Sequence, residues 1–279
     1  MVNRPEPEGT TIGNHRDPCT LSNYHNFRTT NTFVEFHIDF EKKKLQGSVS
    51  LRLKSLTEAE TNEIVLDASY LDIKDVKVNG QSTKWDLLTS RVEPFGSPLS
   101  IKLQEGIPRH EHIQVDISVS TTSQCTALQW LTPAQTSNGK HPYMFSQCQA
   151  IHARSLFPCQ DTPDSKGTYN FRIRSRLPVL ASGLPDGIED VEGSDEKVYK
   201  FIQKVPMPSY LFAIASGDLK SADIGPRSTV WTGPDELKDC KWELEEDTET
   251  FIKAAEKIVH DYAWVRYKLE DLAVCVSDM

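Results

Sequence analysis

Side chains that could do chemistry are densest in residues 143–163, which run Tyr-Met-Phe-Ser-Gln-Cys-Gln-Ala-Ile-His-Ala-Arg-Ser-Leu-Phe-Pro-Cys-Gln-Asp-Thr-Pro. These 21 positions hold three glutamines, two cysteines, a histidine, an arginine and an aspartate among apolar residues. Such a mixture is typical of a pocket lining, or of a polar cluster whose hydrogen bonds are satisfied inside a core. The sequence of this stretch leaves both interpretations open.

Gln147 and Gln149 are the most informative pair in this stretch. They stand two apart on a predicted strand, so their side chains are expected on one face. Each carboxamide offers an oxygen acceptor and an N–H donor, so the pair can hold an ammonium or a peptide group without a permanent charge. The alternative is that neighbouring backbone satisfies both amides. Cys148, between them, is expected to be a small buried apolar residue.

The spacing of His, Cys, Asp and Glu predicts no metal or nucleophilic site. His110 and His112 stand two apart, whereas a zinc-binding helix needs histidines four apart. Cys148, His152 and Cys159 lack both a fourth ligand and a C-x-x-C pair. The chain contains neither a G-x-S-x-G elbow nor a Gly-rich phosphate loop. We therefore assign no catalytic and no metal-binding residue.

Asp161 lies in a turn flanked by Pro158 and Pro163. An aspartate in such a turn more often accepts hydrogen bonds from backbone amides than it serves as a general acid or base. An enzyme that uses Cys148, His152 and Asp161 together is a further hypothesis, and it would need these three groups within hydrogen-bond reach of one another.

The elements that must position these residues show a period of two. Alternating apolar and polar residues, separated by turn residues, predict short strands at 32–40, 45–54, 63–66, 73–78, 99–103, 112–120, 169–176, 197–205, 210–216 and 228–232. Residues 183–196 are acidic and predict a surface loop. Helical spacing appears near the end and predicts one helix over 247–262. The fold class is mainly β, an antiparallel sandwich or saddle of sheets.

Composition excludes several classes of function. The 279-residue chain has a formal net charge of −9 and no large block of Lys or Arg, which disfavours nucleic-acid and anionic-membrane partners. Residues 1–18 have no apolar core and predict neither a signal peptide nor an anchor, and no later window is long and apolar enough to span a bilayer. The six cysteines are expected to be reduced thiols. We expect a cytoplasmic protein, with the nucleus as a further compartment.

Domain organisation follows from the changes in pattern. Residues 1–22 predict a flexible leader, 23–232 a β domain, and 233–279 a linker, a helix and the start of a second, helical unit.

Longer runs of residues resemble a known family. The runs 127–133 (Ala-Leu-Gln-Trp-Leu-Thr-Pro), 141–152, 157–163, 200–206 and 224–227 resemble the N-terminal domain of the leukotriene A(4) hydrolase family, within the zinc aminopeptidases related to aminopeptidase N. The resemblance extends from about residue 17 to about residue 267. It implies a saddle of antiparallel and mixed sheets, followed in the family by a catalytic zinc domain.

The resemblance also implies a substrate site. Gln147, Cys148 and Gln149 match family positions that contact the amino-terminal end of a peptide substrate. The family's zinc ligands, its H-E-x-x-H glutamate and its G-x-M-E-N loop cannot be placed in this sequence, which departs from the family near Tyr267. The resemblance therefore implies zinc for the full-length family and no cofactor for this chain. We expect a truncated product whose missing partner is the catalytic domain.

Two hypotheses of function follow. The first is the substrate-edge domain of a bifunctional zinc aminopeptidase and epoxide hydrolase, inactive by itself because a metal hydrolase needs its metal to activate water. The second is a non-catalytic β module that binds peptides or docks onto another protein.

Overall fold

The computed structural model describes residues 16–57, 61–88, 91–264 and 267–270. Its strands are β1 Phe27–Asp39, β2 Lys44–Ser55, β3 Glu63–Ala68, β4 Leu71–Val78, β5 Gln81–Ser82, β6 Trp85–Leu87, β7 Ser97–Lys102, β8 His112–Thr121, β9 Leu128–Leu131, β10 Tyr143–Ser146, β11 Lys166–Ser175, β12 Val179–Ala181, β13 Leu184–Asp190, β14 Lys197–Pro208, β15 Ile214–Ser216, β16 Lys220–Gly225, β17 Ser228–Thr232 and β18 Tyr267–Glu270. The two α-helices are α1 Leu237–Glu245 and α2 Thr248–Ile258. Short 3₁₀ turns occur at Pro133–Gln135, Ala153–Ser155 and Ser209–Leu211. The predicted mainly β fold class is confirmed.

The largest sheet has eight strands in the order β13-β14-β11-β1-β2-β8-β4-β5. It is mixed, because β1 pairs in parallel with β11 and antiparallel with β2. Three smaller sheets have the orders β12-β15-β10-β9, β16-β17-β18 and β3-β7-β6. The four-stranded sheet carries β10 and so positions the residues of interest.

Alternation along each strand builds the core. In β1 the side chains of Val34, Phe36 and Ile38 are buried, and their neighbours in sequence are more exposed. The predicted hairpin is confirmed, since β1 and β2 pair from Phe27–Ser55 to Asp39–Lys44 around a charged turn. Burying a side chain of this size contributes about 1.5–3 kcal/mol. The alternating pattern therefore fixes which face of the large sheet turns inward.

The structure also contains elements that were not predicted: the short strands β5, β6, β9, β12 and β16, the edge strand β13 and the helix α1. The strand predicted at 210–216 is limited to β15, after a 3₁₀ turn. β13 lies inside the predicted surface loop, where it pairs with β14 as the edge strand of the large sheet. It escaped prediction because nearly all of its residues are exposed, so no apolar alternation marks it. Helix α1 lies in the predicted acidic linker, and none of its residues is buried. Neither β13 nor α1 is buried on one side, so neither has the periodic apolar pattern from which an element is predicted.

The predicted helix over 247–262 is shorter in the structure. Asp247 is its N-cap residue, and α2 ends at Ile258, where the Val259 N–H donates to the Ala255 carbonyl. None of the described helices is long and apolar enough to cross a bilayer. The five cysteines among the described residues form no disulfide with one another; Cys275 lies outside the described residues.

Residues 17–22, which the prediction assigned to the leader, are bound to the domain. The Leu21 N–H donates to Asp67 Oδ1 over 2.6 Å, and the Thr20 hydroxyl donates to Asp67 Oδ2. The Cys19 carbonyl accepts from Arg154 Nη2 over 2.9 Å. Contacts with the domain thus begin before residue 23; residues 1–15 lie outside the described part of the structure.

Candidate functional site

Strand β10 leads directly into the two glutamines. β10 lies between β9 and β15, and the pairing with β9 continues one residue beyond the strand, where the Gln147 N–H donates to the Ala127 carbonyl over 2.8 Å. Gln129 is opposite Phe145 in the same ladder. Because side chains alternate between faces, Gln129, Phe145 and Gln147 lie on one face of this sheet. Both glutamines are exposed there.

Gln149 is exposed, but it does not lie on the strand that the sequence predicted. β10 ends at Ser146, so Gln149 lies in a turn rather than on a strand, and its peptide bond to Ala150 is cis. It is exposed like Gln147. The Gln149 N–H approaches Gln147 Oε1 at 3.4 Å, at the long end of hydrogen-bond distances. Within the described residues no other hydrogen bond is made by either carboxamide, so donors and acceptors remain available for a ligand.

Cys148 is turned the opposite way. Its side chain is 1 % exposed in the core, as expected of a small apolar residue. Burial, with the nearby charge of Asp161, raises the pKa of the Cys148 thiol well above its ordinary value. The thiol is therefore neither a nucleophile nor a ligand-facing group. The part of Cys148 that takes part in this loop is its carbonyl, which accepts from the His152 N–H over 2.9 Å.

His152 and Ser155 form hydrogen bonds that hold the end of this turn. His152 Nδ1 lies 2.8 Å from Thr126 Oγ1, and the Ser155 hydroxyl donates to the His152 carbonyl over 2.8 Å. Ser155 Oγ also accepts from the Ala127 N–H over 3.1 Å. The sequence offered no signal for Thr126 or Ser155, because small hydroxyl residues occur in every environment.

Arg154 and Asp161 form a buried ion pair. Arg154 is 1 % exposed, and its Nε lies 2.9 Å from Asp161 Oδ2. Its guanidinium also donates to the carbonyls of Cys19, Phe95 and Asp161 at 2.8–3.0 Å. Asp161 also accepts from the Arg154 N–H over 3.2 Å and from the Ser209 hydroxyl over 2.6 Å. Asp161 thus accepts a backbone amide, as predicted, and its carboxylate is fully engaged rather than poised as an acid or base.

Asp67 completes this cluster and was missed from sequence. It is fully buried at the end of β3, accepts from the Asp161 N–H over 3.0 Å, and lies 3.6 Å from Arg154 Nη1. Burial raises its pKa, against the opposing charge of Arg154. Its backbone also exchanges two hydrogen bonds with Cys159, which anchors the end of the 143–163 stretch.

Gln160 is a glutamine whose carboxamide is hydrogen-bonded inside the core. It is 3 % exposed, its Oε1 accepts from the Thr29 N–H over 2.9 Å, and its Nε2 donates to the Phe27 carbonyl over 2.6 Å. The 143–163 stretch is therefore divided: Gln160, Asp161 and Arg154 are satisfied inside the core, and Gln147 and Gln149 face solvent.

The described residues contain no group of three or more His, Cys, Asp or Glu side chains that could hold a metal ion. Cys148, His152 and Cys159 do not form one, because Cys148 and Cys159 are buried thiols whose pKa values burial raises. The donor set that zinc requires does not fit this part of the chain. The candidate site therefore comprises the two exposed carboxamides of Gln147 and Gln149 on a hydrogen-bonded turn.

Comparison with known proteins finds relatives over most of the chain. The Peptidase M1 N-terminal domain family matches residues 21–211, more than half of the chain. Leucine aminopeptidase 2 of Aspergillus fumigatus is 60% identical over 262 residues, which cover 93% of this chain and 42% of that protein. A leukotriene A-4 hydrolase homolog of Botryotinia fuckeliana is 57% identical over 265 residues, covering 93% and 41%.

Solved structures give the same result. Native yeast LTA4 hydrolase superposes with a TM-score of 0.83 at 47% identity, covering 91% of this chain and 39% of the hydrolase. Yeast LTA4 hydrolase in complex with bestatin gives a TM-score of 0.83 at 46% identity, covering 93% and 40%. The chain thus spans about two fifths of the relatives it matches. It belongs to the M1 peptidase family, as an N-terminal domain of the aminopeptidase and LTA4 hydrolase type.

Proposed function

We propose that this chain supplies the substrate-binding edge of an LTA4 hydrolase-like zinc aminopeptidase, in which Gln147 and Gln149 bind the amino-terminal end of a peptide. The observation that carries the proposal is the pair of exposed carboxamides, held on a turn that hydrogen bonds close on both sides. The similarity to leucine aminopeptidases supports the substrate class.

The chemistry suits an amino terminus. A peptide ammonium is a donor of three hydrogen bonds, and the carboxamide oxygens of Gln147 and Gln149 are acceptors. Hydrogen bonds from a charged donor are shorter and stronger than those between neutral groups. Because the carboxamides are uncharged, they bind the ammonium without attracting metal ions or cationic side chains as carboxylates do. The role of these residues is to position a substrate rather than to react with it.

Catalysis in the proposal requires groups that the described residues do not include. Zinc supplies an activated water in aminopeptidases of this family, and no cluster of ligands for it occurs in the described part of the chain. We therefore expect purified, metal-loaded chain to show no turnover of an aminoacyl anilide. Chelator-sensitive turnover would contradict this expectation. The parent enzyme would also hydrolyse a fatty-acid epoxide, by analogy with the LTA4 hydrolase relatives.

A chimaera tests the role of the glutamines. Residues 17–264 of this chain would replace the matching segment of yeast LTA4 hydrolase, and the chimaera is expected to hydrolyse aminoacyl anilides. Gln147→Ala and Gln149→Ala are each expected to raise KM about tenfold, the loss expected for one hydrogen bond to a charged group, with little change in kcat.

Gln129→Ala is the matched control, because Gln129 is also exposed on the same face of the sheet. It is expected to leave KM within about twofold of the unsubstituted chimaera. An unchanged KM in both the Gln147 and the Gln149 variants would contradict the proposed role in binding substrate. A chimaera that folds but shows no turnover would contradict it too.

Docking is a second candidate function, favoured by large apolar side chains that are exposed on or next to the two helices. Trp242 of α1 and Phe251 of α2 are 73% and 65% exposed, and Ile258 and Val259 are 84% and 73% exposed. Phe251 and Ile258 stand seven positions apart on α2 and so share one face of the helix, and an exposed apolar patch of this kind marks an interaction surface. In this proposal the patch packs on the remaining three fifths of the parent protein, whose length the relatives show.

Light scattering tests the patch. The isolated chain is expected to self-associate, and Trp242→Gln with Phe251→Gln is expected to reduce this association. Ile188→Gln is the control, since Ile188 is 62% exposed on β13, at the edge of the eight-stranded sheet. A wild-type chain that stays monomeric at concentrations of tens of micromolar, or an equal effect of the control, would count against a docking patch.

A further inference from the structure

Three hydrogen bonds form a closed ring behind the turn of residues 147–152, here called the glutamine loop. His152 Nδ1 lies 2.8 Å from Thr126 Oγ1, Thr126 Oγ1 lies 3.2 Å from Ser155 Oγ, and Ser155 Oγ lies 2.8 Å from the His152 carbonyl oxygen. Thr126 precedes β9, and Ser155 is fully buried in the 3₁₀ turn after the loop. The ring, named below the hydroxyl ring, joins these two segments.

The direction of every bond in the hydroxyl ring is fixed. A carbonyl cannot donate, so the single proton of Ser155 Oγ goes to the His152 carbonyl. Ser155 must then accept from Thr126, which uses the single proton of that hydroxyl. Thr126 Oγ1 must therefore accept from His152, and the imidazole carries its proton on Nδ1. The ring thus selects one tautomer of His152 and leaves each hydroxyl with a defined role.

The hydroxyl ring holds both ends of the glutamine loop. At the start of the loop, the Ala127 N–H donates to Ser155 Oγ over 3.1 Å, and the Ala127 carbonyl accepts from the Gln147 N–H over 2.8 Å. At the end of the loop, the His152 N–H donates to the Cys148 carbonyl over 2.9 Å. Ser155 is therefore connected to Gln147 through one residue and to Cys148 through another.

We propose that Thr126, His152 and Ser155 are positioning residues that set the placement of the Gln147 and Gln149 carboxamides. The inference rests on the proposed role of these glutamines in binding substrate. Among the described residues, the two glutamine side chains make no hydrogen bond beyond the one between residues 147 and 149, so their placement depends on the backbone of the loop. A hydrogen-bonded support fixes a binding group more firmly than the loop alone can.

The decisive experiment compares Thr126→Val with Thr126→Ser in the same chimaera. Valine has the shape of threonine without the hydroxyl, so the ring opens, whereas serine keeps the hydroxyl and the ring. Thr126→Val is expected to raise KM about threefold to tenfold, the effect of one hydrogen bond in a network, with kcat unchanged. Thr126→Ser is expected to match the unsubstituted chimaera. Because Thr126 is exposed, Tm should change little in either variant.

A second pair of variants tests His152 without requiring the loss of a buried group. His152→Asn retains an N–H donor near the position of Nδ1 and is expected to keep KM low. His152→Ala removes the donor and is expected to raise KM as Thr126→Val does. In the isolated chain, ¹⁵N chemical shifts of the His152 ring are expected to show the Nδ1–H tautomer at a pH where the imidazole is neutral.

The outcomes separate this inference from the proposed function. If Gln147→Ala and Gln149→Ala raise KM while Thr126→Val leaves it unchanged, the ring does not position the glutamines. If none of these variants changes KM, the proposed function itself fails. An Nε2–H tautomer would overturn the ring, and equal effects of Thr126→Val and Thr126→Ser would assign the change to packing rather than to the hydroxyl.

Discussion

At the scale of single residues, the polar side chains of the 143–163 stretch divide by their partners. Arg154 is the largest fully buried side chain among the described residues, and its charge is matched by Asp161 and Asp67. A buried charge is tolerated only where ion pairs and hydrogen bonds replace water. Gln147 and Gln149 meet no such demand, because they remain in water. The same stretch therefore combines a buried structural anchor with two exposed carboxamides.

Substitution of Arg154 tests the anchor. Arg154→Met leaves Asp67 and Asp161 buried without their cation, so the free energy of unfolding is expected to fall by about 3–5 kcal/mol. Urea unfolding of the isolated chain measures this. Arg176→Met is the control, because Arg176 is 61% exposed and lies 3.7 Å from Asp195. A surface pair of this kind contributes less than about 1 kcal/mol. Equal effects of the two substitutions would contradict the anchoring role of Arg154.

At the scale of elements, the hairpin of β16 and β17 is tied to helix α2 by one arginine. Arg227 Nη1 and Nη2 donate to the two carboxylate oxygens of Glu256 over 2.7 and 2.8 Å, and Arg227 Nε lies 3.2 Å from Glu249. Glu256 also accepts from the Tyr262 N–H over 3.0 Å. This two-pronged geometry is specific to a guanidinium and a carboxylate, and lysine cannot reproduce it.

A fall in pH should weaken the ion pair between Arg227 and Glu256. The hydrogen bonds from Arg227, with that from Tyr262, lower the pKa of Glu256 to about 2 from an ordinary value of 4.5. A carboxyl group with a lowered folded-state pKa stabilises the fold fully above its unfolded value, and this stability is lost as the pH falls from 4.5 through about 2. The difference in Tm between wild type and Glu256→Gln is therefore expected to be largest at neutral pH and to shrink in that range.

The control for this titration is Glu243→Gln, at an exposed position of α1. This variant should follow the wild-type Tm at every pH. A gap between wild type and Glu256→Gln that stays constant from pH 5 to pH 2 would show that the carboxylate charge of Glu256 does not stabilise the helix.

At the scale of the whole molecule, the N-terminal segment of residues 17–22 closes the central ion cluster. Leu21 and Thr20 donate to Asp67, and Arg154 donates to the Cys19 carbonyl. Tyr24 extends the contact, because its hydroxyl donates to Asp164 over 3.0 Å. The segment therefore connects the start of the chain to the end of the 143–163 stretch, across more than 100 residues of sequence.

Two deletions test this connection. Removal of residues 1–22 exposes Asp67 and Arg154 and is expected to lower the free energy of unfolding by about 2–4 kcal/mol, from the lost hydrogen bonds to charged groups. Removal of residues 1–15 leaves these contacts in place and is expected to have little effect. Urea unfolding of the two shortened chains gives the comparison. Equal stabilities would mean that the segment is dispensable.

Much of the fold could be predicted, because the strands of the large sheet are buried on one side. Alternation in β1, β2 and β8 reflects that burial directly. β13 and α1 could not be predicted, since both are exposed on nearly all sides and carry no one-sided apolar pattern. Their formation depends on neighbours: β14 supplies a partner edge for β13, and α1 contacts β16 and β17.

For the site, the sequence by itself singled out Gln147 and Gln149, through residue type and spacing, as candidates for binding an amino terminus. Only the tertiary structure decided which glutamines are free and which are satisfied, because Gln160 gains its partners from β1, about 130 positions away. It also brought Thr126, His152 and Ser155 into one ring. Hydrogen bonds between distant segments depend on the packing of the sheets, and the local sequence carries no record of that packing.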